Sequence, residues 1–234
     1  RNHLDDDLLD AYLTSIQELQ ELLSIKNAQM EAQNEEEAVE YLKNLKISLG
    51  FVIEEIILHH NFEMEIQLFQ LLRLVSPVTN ALHPNRYRQI LVQIGAHICP
   101  DKEEVPKLVS QLFYQMESIT NPIIKAIYFH HELIRIHPFA DGNGRVTRVA
   151  KNWMLMYDLY PPIFVNDAPQ KTEYITTLSK SFRALDQSPN KWNEHTETFF
   201  ELELDRLLVN ANLLYETVNR IGLERAEKNK NNVE

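Results

Sequence analysis

Leu8, Leu9, Tyr12, Leu13, Ile16, Leu19, Leu22 and Leu23 follow one another at intervals of one and three residues. Only an α-helix gathers such a spacing into one apolar stripe, and the pattern recurs along most of the chain. Glycine, the residue that costs most backbone entropy inside a helix, occurs only five times in 234 residues. An all-α fold is therefore expected. Its first helix should span about 4–25. Asn34 reads as the N-cap of a second, with Glu35, Glu36 and Glu37 in the first turn where the dipole favours acids. That helix should run towards His60, and a third should span about 63–75 and stop before Pro77.

One segment departs from the pattern. Over 88–100, Ile90, Val92, Ile94 and Ile98 fall at even positions with Gly95 between them, which predicts a short β-hairpin. Helical spacing then resumes over about 103–117. Asn121-Pro122, an N-cap followed by proline at the first helical position, opens a helix to Ile136 that is apolar almost throughout and so should be central. Further helices are expected over about 145–159, 172–185 and 192–221, with a frayed polar tail at 227–234.

Apolar residues make up 44% of the chain, enough for a packed core, and the formal charge is 23 − 34 = −11. Such an acidic chain is not expected to bind nucleic acid through its general surface. The single cysteine, Cys99, rules out an internal disulfide and fits a reducing compartment. No run of eighteen apolar residues occurs, so no membrane span is expected. Arg1-Asn2-His3 followed by three aspartates is unlike a signal peptide, and a cytoplasmic location is expected, although a chain without an initial methionine can lack upstream residues.

Two of the five glycines, Gly142 and Gly144, stand one residue apart in His137-Pro138-Phe139-Ala140-Asp141-Gly142-Asn143-Gly144-Arg145-Val146-Thr147-Arg148. The stretch links two apolar helices, as a loop feeding a helix N-terminus. Unpaired N–H groups and roughly half a positive charge make that terminus a site for an anion. The glycines let backbone approach a ligand without a Cβ in the way, and Asn143 tolerates a left-handed conformation. Arg145 and Arg148, three apart, share a helix face. Cations in a first turn oppose the dipole by roughly 0.3–1 kcal/mol each. A bound polyphosphate reverses the sign of that cost and accepts forked guanidinium hydrogen bonds. Asp141 can hold Mg²⁺, the companion of a nucleoside triphosphate, and His137 can act as a general base. Each residue has a plain structural alternative: Asp141 or Asn143 as a cap, the glycines as a turn, the arginines as partners of surface acids. No single structural need asks for all of them together.

The stretch matches every specified position of His-x-Phe-x-Asp/Glu-Gly-Asn-Gly-Arg-x-x-Arg and so resembles the Fic-domain motif. The resemblance extends over about 87–200 and, more loosely, to the helical N-terminal extensions of some members. It implies a mainly helical Fic fold with one short β-hairpin flap, divided into an N-terminal extension (1–84), a catalytic core (85–200) and a C-terminal helix with its tail (201–234). The implied activity is protein adenylyl transfer, moving AMP from ATP to a side-chain hydroxyl of a target protein with release of pyrophosphate. By position, His137 would take the hydroxyl proton and Asp141 would bind Mg²⁺. Gly142, Asn143 and Gly144 would surround the phosphates, Arg145 on the β/γ side and Arg148 facing the terminal phosphate. Phe139 would anchor the loop in the core, and Tyr174 would lie near the adenine pocket. The flap at 88–100 would hold the target segment by strand addition.

Many members carry a restraining helix with Ser/Thr-x-x-x-Glu-Gly/Asn. Here Thr14 to Glu18 has the spacing but is followed by Leu19, and Ser24 to Gln29 has Ala28 where the glutamate belongs. A separate inhibitory partner, an upstream segment or no brake at all each fit. Two other readings stay open: the same fold with different chemistry (AMP removal, phosphate or phosphocholine transfer), and a nucleotide-binding interaction module with little catalysis. Gly144, where phosphate-transferring relatives carry lysine, argues against the phosphate branch. His130-His131-Glu132 lacks the second histidine of a zinc helix because Arg135 stands there, and it reads as a packed pair. His59-His60 reads as a helix end. The last helix, with Leu202, Leu207, Leu208, Leu213 and Leu214, reads as packing, with homo-oligomerisation as the alternative.

Overall fold

The helical spacing resolves into nine helices among the residues that the structure, a computed structural model, describes: 6–165, 167–189 and 192–231. They are α1 (Asp6–Glu31), α2 (Glu35–Ile57), α3 (Glu65–Val75), α4 (Pro77–Leu82), α5 (Val105–Glu117), α6 (Pro122–Ile136), α7 (Asn143–Tyr157), α8 (Ala168–Gln187) and α9 (Glu194–Asn231). One antiparallel hairpin, β1 (Gln93–Ile94) and β2 (His97–Ile98), lies between α4 and α5. The expected class, mainly helical with one short hairpin, is the class observed.

Local chemistry explains most boundaries. The Asn34 side chain accepts from the Glu37 amide at 2.9 Å, and the Asn121 side chain accepts from the Ile124 amide at 3.1 Å with Pro122 behind it. Asp167 caps α8 the same way, accepting from the Gln170 amide at 2.8 Å, which starts that helix earlier than the apolar spacing alone placed it. Other boundaries differ as well: α1 runs on to Glu31, past the expected end near residue 25. Pro77 does not only end α3: fixed at φ near −65° and needing no N–H partner, it opens the short helix α4. The polar tail expected to fray is helical as far as Asn231, while 232–234, like Leu4, lies outside the described residues.

The hairpin differs too. Pairing runs Gln93 to Ile98 and Ile94 to His97, around a turn at Gly95, whose φ is +58°. A two-residue turn reverses the parity of the inward face, so His97 and Cys99 are buried after it while Ile98 is exposed. The even-numbered isoleucines thus do not share one face.

α6 and α7 pack together at the centre. Phe62, Phe129 and Trp153 form its aromatic heart, with Trp153 fully buried and edge-on to Phe51 at 5.6 Å between centroids. α3 packs on α7 and α5 on α6, while α8 and α9 meet Ile127 and Ile134 of α6 through Tyr174, Phe182 and Phe199. α1 lies across α2 and α9: Tyr12, Ile16 and Leu19 of its stripe are buried, and the Tyr12 hydroxyl donates to Tyr160 O at 2.8 Å. Side chains of 20–27 are outside the description. No helix among the described residues is long and apolar enough to cross a membrane.

Candidate active site

The motif loop is held from beneath by its own phenylalanine. Phe139 is fully buried against Phe69 and Tyr87, at 5.8 and 5.9 Å between ring centroids. Asn143 closes the loop over it: its side chain accepts from the Phe139 amide and donates to the Phe139 carbonyl, both at 2.8 Å. Asn143 is therefore the first helical residue of α7, not a left-handed one. The left-handed positions are Gly142, at φ +81°, and His137, at φ +52°. A Cβ on Gly142 would come within 2.8 Å of Ser76, and one on Gly144 within 3.1 Å of the Arg148 guanidinium. The two glycines thus serve the close packing of α3–α4 and the fit of an arginine respectively.

No side chain caps α7, and its first turn contains no acid. The cap reading of Asp141 and Asn143 is excluded, and the amides of Asn143, Gly144 and Arg145 stand at an open helix end. Arg145 reaches back from this turn to three partners. It donates to Val75 O at 3.0 Å and to Asp141 Oδ2 at 2.7 Å, and its guanidinium lies 4.2 Å from the centre of the Tyr41 ring. Asp141 Oδ2 also accepts from the Ser76 hydroxyl at 3.1 Å, with the Thr79 hydroxyl 2.9 Å behind it. Desolvation opposes ionisation of Asp141, but Arg145, the Gly142 amide and Ser76 together hold the carboxyl below its ordinary value. It is an ionised, exposed oxygen donor, suited to a hard cation such as Mg²⁺.

His137 ends α6. Its ring Nδ1 lies 3.4 Å from Ile134 O, a group that only accepts, which favours the neutral tautomer with the proton on Nδ1 and the lone pair on Nε2. Desolvation pushes its pKa down to about 4, and the charge of Arg88 pushes the same way. A neutral imidazole with an available Nε2 is the form a general base requires.

These residues face one cleft of about 430 Å³, within the usual size of a small-ligand site. His137, Asp141, Gly142, Asn143, Gly144, Arg145, Arg148 and Tyr174, all singled out from the sequence, line it. Tyr174 is anchored there by a 2.7 Å hydrogen bond between its hydroxyl and His130 Nε2. Ile94 and Gly95 of the hairpin also line the cleft, and a Cβ on Gly95 would stand 3.5 Å from the Ser179 hydroxyl of α8. The buried His130 and His131 are held by protein partners, His131 by the Ser181 hydroxyl at 2.8 Å and by Glu132 at 2.9 Å.

Sequence reasoning missed Tyr41, Ser76, Thr79, Arg88 and Lys171. They sit on elements remote in sequence from the motif and carry no spacing that marks them. For Arg88 alone there was a signal: it is the one Lys, Arg, Asp or Glu in the segment 88–100.

A mainly helical domain built around an uncapped, arginine-bearing helix N-terminus, with a histidine at the end of the preceding helix, is a class defined by its loop. The comparisons then make it particular. The model of the Fic/DOC family matches residues 5–155, from α1 into the last turn of α7. Protein adenylyltransferase Fic from Drosophila persimilis is 31% identical over 119 residues, covering 48% of this chain and 23% of that protein. The alignment thus spans about a quarter of the length of that relative. A Fic-domain-containing signalling protein from Bacteroides thetaiotaomicron has the same fold at a TM-score of 0.73 over 93% of both chains, with 18% identity. IbpAFic2, solved covalently tethered to Cdc42, is similar at a TM-score of 0.53 over 86% of this chain and 67% of its own, with 20% identity. The chain belongs to the Fic/DOC family.

Proposed function

We propose that the chain is a protein adenylyltransferase that moves AMP from ATP to a side-chain hydroxyl of another protein. The observation that carries this reading is the single cleft shared by a neutral histidine, an open helix N-terminus with two arginines, and an ionised aspartate. The target hydroxyl oxygen attacks the α-phosphorus while its proton passes to His137 Nε2. The bond from the α-phosphorus to the bridging oxygen breaks, and pyrophosphate leaves with that electron pair. The amides of Asn143 to Arg145 and the Arg145 and Arg148 guanidiniums take the phosphate charge. Mg²⁺, held by Asp141, would supply further neutralisation of the phosphates. Tyr174 and the neighbouring apolar wall suit the adenine face. The flap suits a target backbone added as a third strand, a reading supported by the protein-tethered state of IbpAFic2.

Intact mass of candidate targets, and of the protein itself, after incubation with ATP and Mg²⁺ tests the reading. A gain of one adenylyl group is expected. A gain of phosphate, or of nothing across a panel of targets that other adenylyltransferases modify, would overturn it.

Arg145→Ala is expected to weaken ATP binding as well as turnover, since charge-assisted hydrogen bonds contribute about 1.5–3 kcal/mol. Arg145→Lys should recover part of the loss, because a point charge cannot fork. Calorimetry with Mg²⁺ checks this, and equal affinity in all three forms would remove Arg145 from the site.

The restraint question has a geometric form. Ala28 of α1 is buried and lines a small apolar cavity whose walls include Arg148, Arg145 and Tyr41. A carboxylate introduced there would meet Arg148. Ala28→Glu is therefore expected to slow transfer by roughly tenfold or more, if it forms one charge-assisted contact. Glu18 instead pairs with Arg220 of α9 at the surface. Glu18→Gly is expected to leave activity unchanged, and a many-fold activation in an auto-modification assay would restore α1 at Glu18 as a brake.

A further inference from the structure

We infer that Arg88 is a positioning residue that fixes the base and the flap as one unit. The inference deepens the transfer reading above and rests on it for the effect on rate alone. A helix C-terminus leaves its last carbonyls without intrahelical donors. At the end of α6 four consecutive carbonyls are satisfied, and every donor comes from the segment 88–97. Arg135 O accepts from His97 Nε2 at 3.1 Å, Ile136 O from Arg88 Nη2 at 3.3 Å, His137 O from Arg88 Nε at 2.7 Å, and Pro138 O from the Arg88 amide at 2.8 Å.

The same guanidinium turns back on its own segment. Arg88 Nη1 donates to Ile90 O at 2.7 Å, and Nη2 donates to Pro100 O, so both ends of the flap are tied to the group that holds His137. Arg88 is only 2% exposed, and all its side-chain hydrogen bonds among the described residues go to carbonyl oxygens. A buried guanidinium without a carboxylate is an unfavourable arrangement except where carbonyl dipoles converge, as at a helix C-terminus.

Helix capping alone does not require it. Glycine in the left-handed position ends a helix without strain and without a buried charge. Here that position belongs to a histidine, held by a planar fork that addresses several carbonyls at once. Fixing His137 O fixes the direction of its Cα–Cβ bond, and with it the contact from Nδ1 to Ile134 O that leaves Nε2 as the acceptor. A target strand laid on the flap would then stand at a constant distance from that nitrogen. Positional errors of about 1 Å at a reacting centre can lower rate about 10²-fold.

The test uses the full chain with Arg88→Met and Arg88→Lys, each checked for folding by thermal unfolding. The ¹⁵N signals of the His137 imidazole, assigned by their loss in His137→Ala, report its tautomer. The parent is expected to show the Nδ1-protonated form, and Arg88→Met a mixture of both. Transfer at saturating ATP is expected to fall about 10²-fold with the KM for ATP within about twofold of the parent, a kcat effect that a general loss of structure would not produce. Arg88→Lys should recover only part of both signals, and it carries the same two readouts should Arg88→Met fail to fold. A folded variant with the parent imidazole spectrum overturns the inference, whatever its rate. The spectrum decides the positioning role even if the parent transfers no AMP, a result that would remove the functional reading instead.

Discussion

Replacing His137 with alanine is expected to lower AMP transfer by about 10²–10⁴-fold while ATP affinity stays close to that of the parent. Among the described residues the ring has one weak hydrogen-bond contact, to Ile134 O at 3.4 Å, and it contributes none of the amides or guanidiniums assigned to phosphate. Its loss should therefore be felt in the transition state rather than in ground-state binding. The pH profile adds an independent check. A base whose pKa is held near 4 in the free protein stays neutral through the whole neutral range, so the acid limb of kcat/KM, which reports the free enzyme, should fall near pH 4 and not near the ordinary histidine value of 6.5. Near-parental transfer by His137→Ala, or an acid limb at pH 6.5, would be the contrary result.

The largest stability effect is expected from Glu203→Ala. Glu203 of α9 is 1% exposed at its side chain and faces Lys151 Nζ at 2.6 Å, itself 2% exposed, and Arg206 Nη1 at 2.8 Å. Burial pushes the Lys151 pKa down, and Glu203 is what keeps the ammonium favourable. Removing one partner of a buried pair leaves a charge that neither water nor protein compensates, at a cost of about 3–5 kcal/mol. For a chain of this length that corresponds to a fall in Tm of roughly 6–20 °C. Glu203→Ala combined with Lys151→Met should regain much of the loss, because no unpaired ammonium then remains. Thermal unfolding of the parent, the single variant and the pair decides it. A fall of under about 1 kcal/mol for Glu203→Ala would mean that water reaches Lys151.

The network also lies under the candidate site. Lys151 is one turn of α7 beyond Arg148, and His130 Nδ1 stands 3.9 Å from Glu203 while its Nε2 holds Tyr174. α9 therefore does more than cover the core: it carries the carboxylate around which α6 and α7 assemble beneath the cleft. The sequence marked α9 only by its leucines, because a lysine at 151 and a glutamate at 203 look like surface residues until the fold buries them together.

What the sequence by itself determined is what local periodicity and contiguous motifs encode. Apolar spacing specified nearly every helix. Asn34 and Asn121 specified two helix starts, because a cap acts within three residues of itself. The twelve residues from His137 to Arg148 specified one wall of the cleft, because a loop and the helix it feeds are continuous in the chain. What only the tertiary structure decided depends on contacts across long separations. Ser76 against Gly142 and Asp141, Tyr41 against Arg145, Arg88 against the end of α6, and Glu203 against Lys151 all join residues at least 48 positions apart. No propensity or spacing records such pairs. They arise when α2, α3–α4, the hairpin and α9 pack around α6 and α7. That packing turns a left-handed histidine, an open helix end and a lone carboxylate into one cleft.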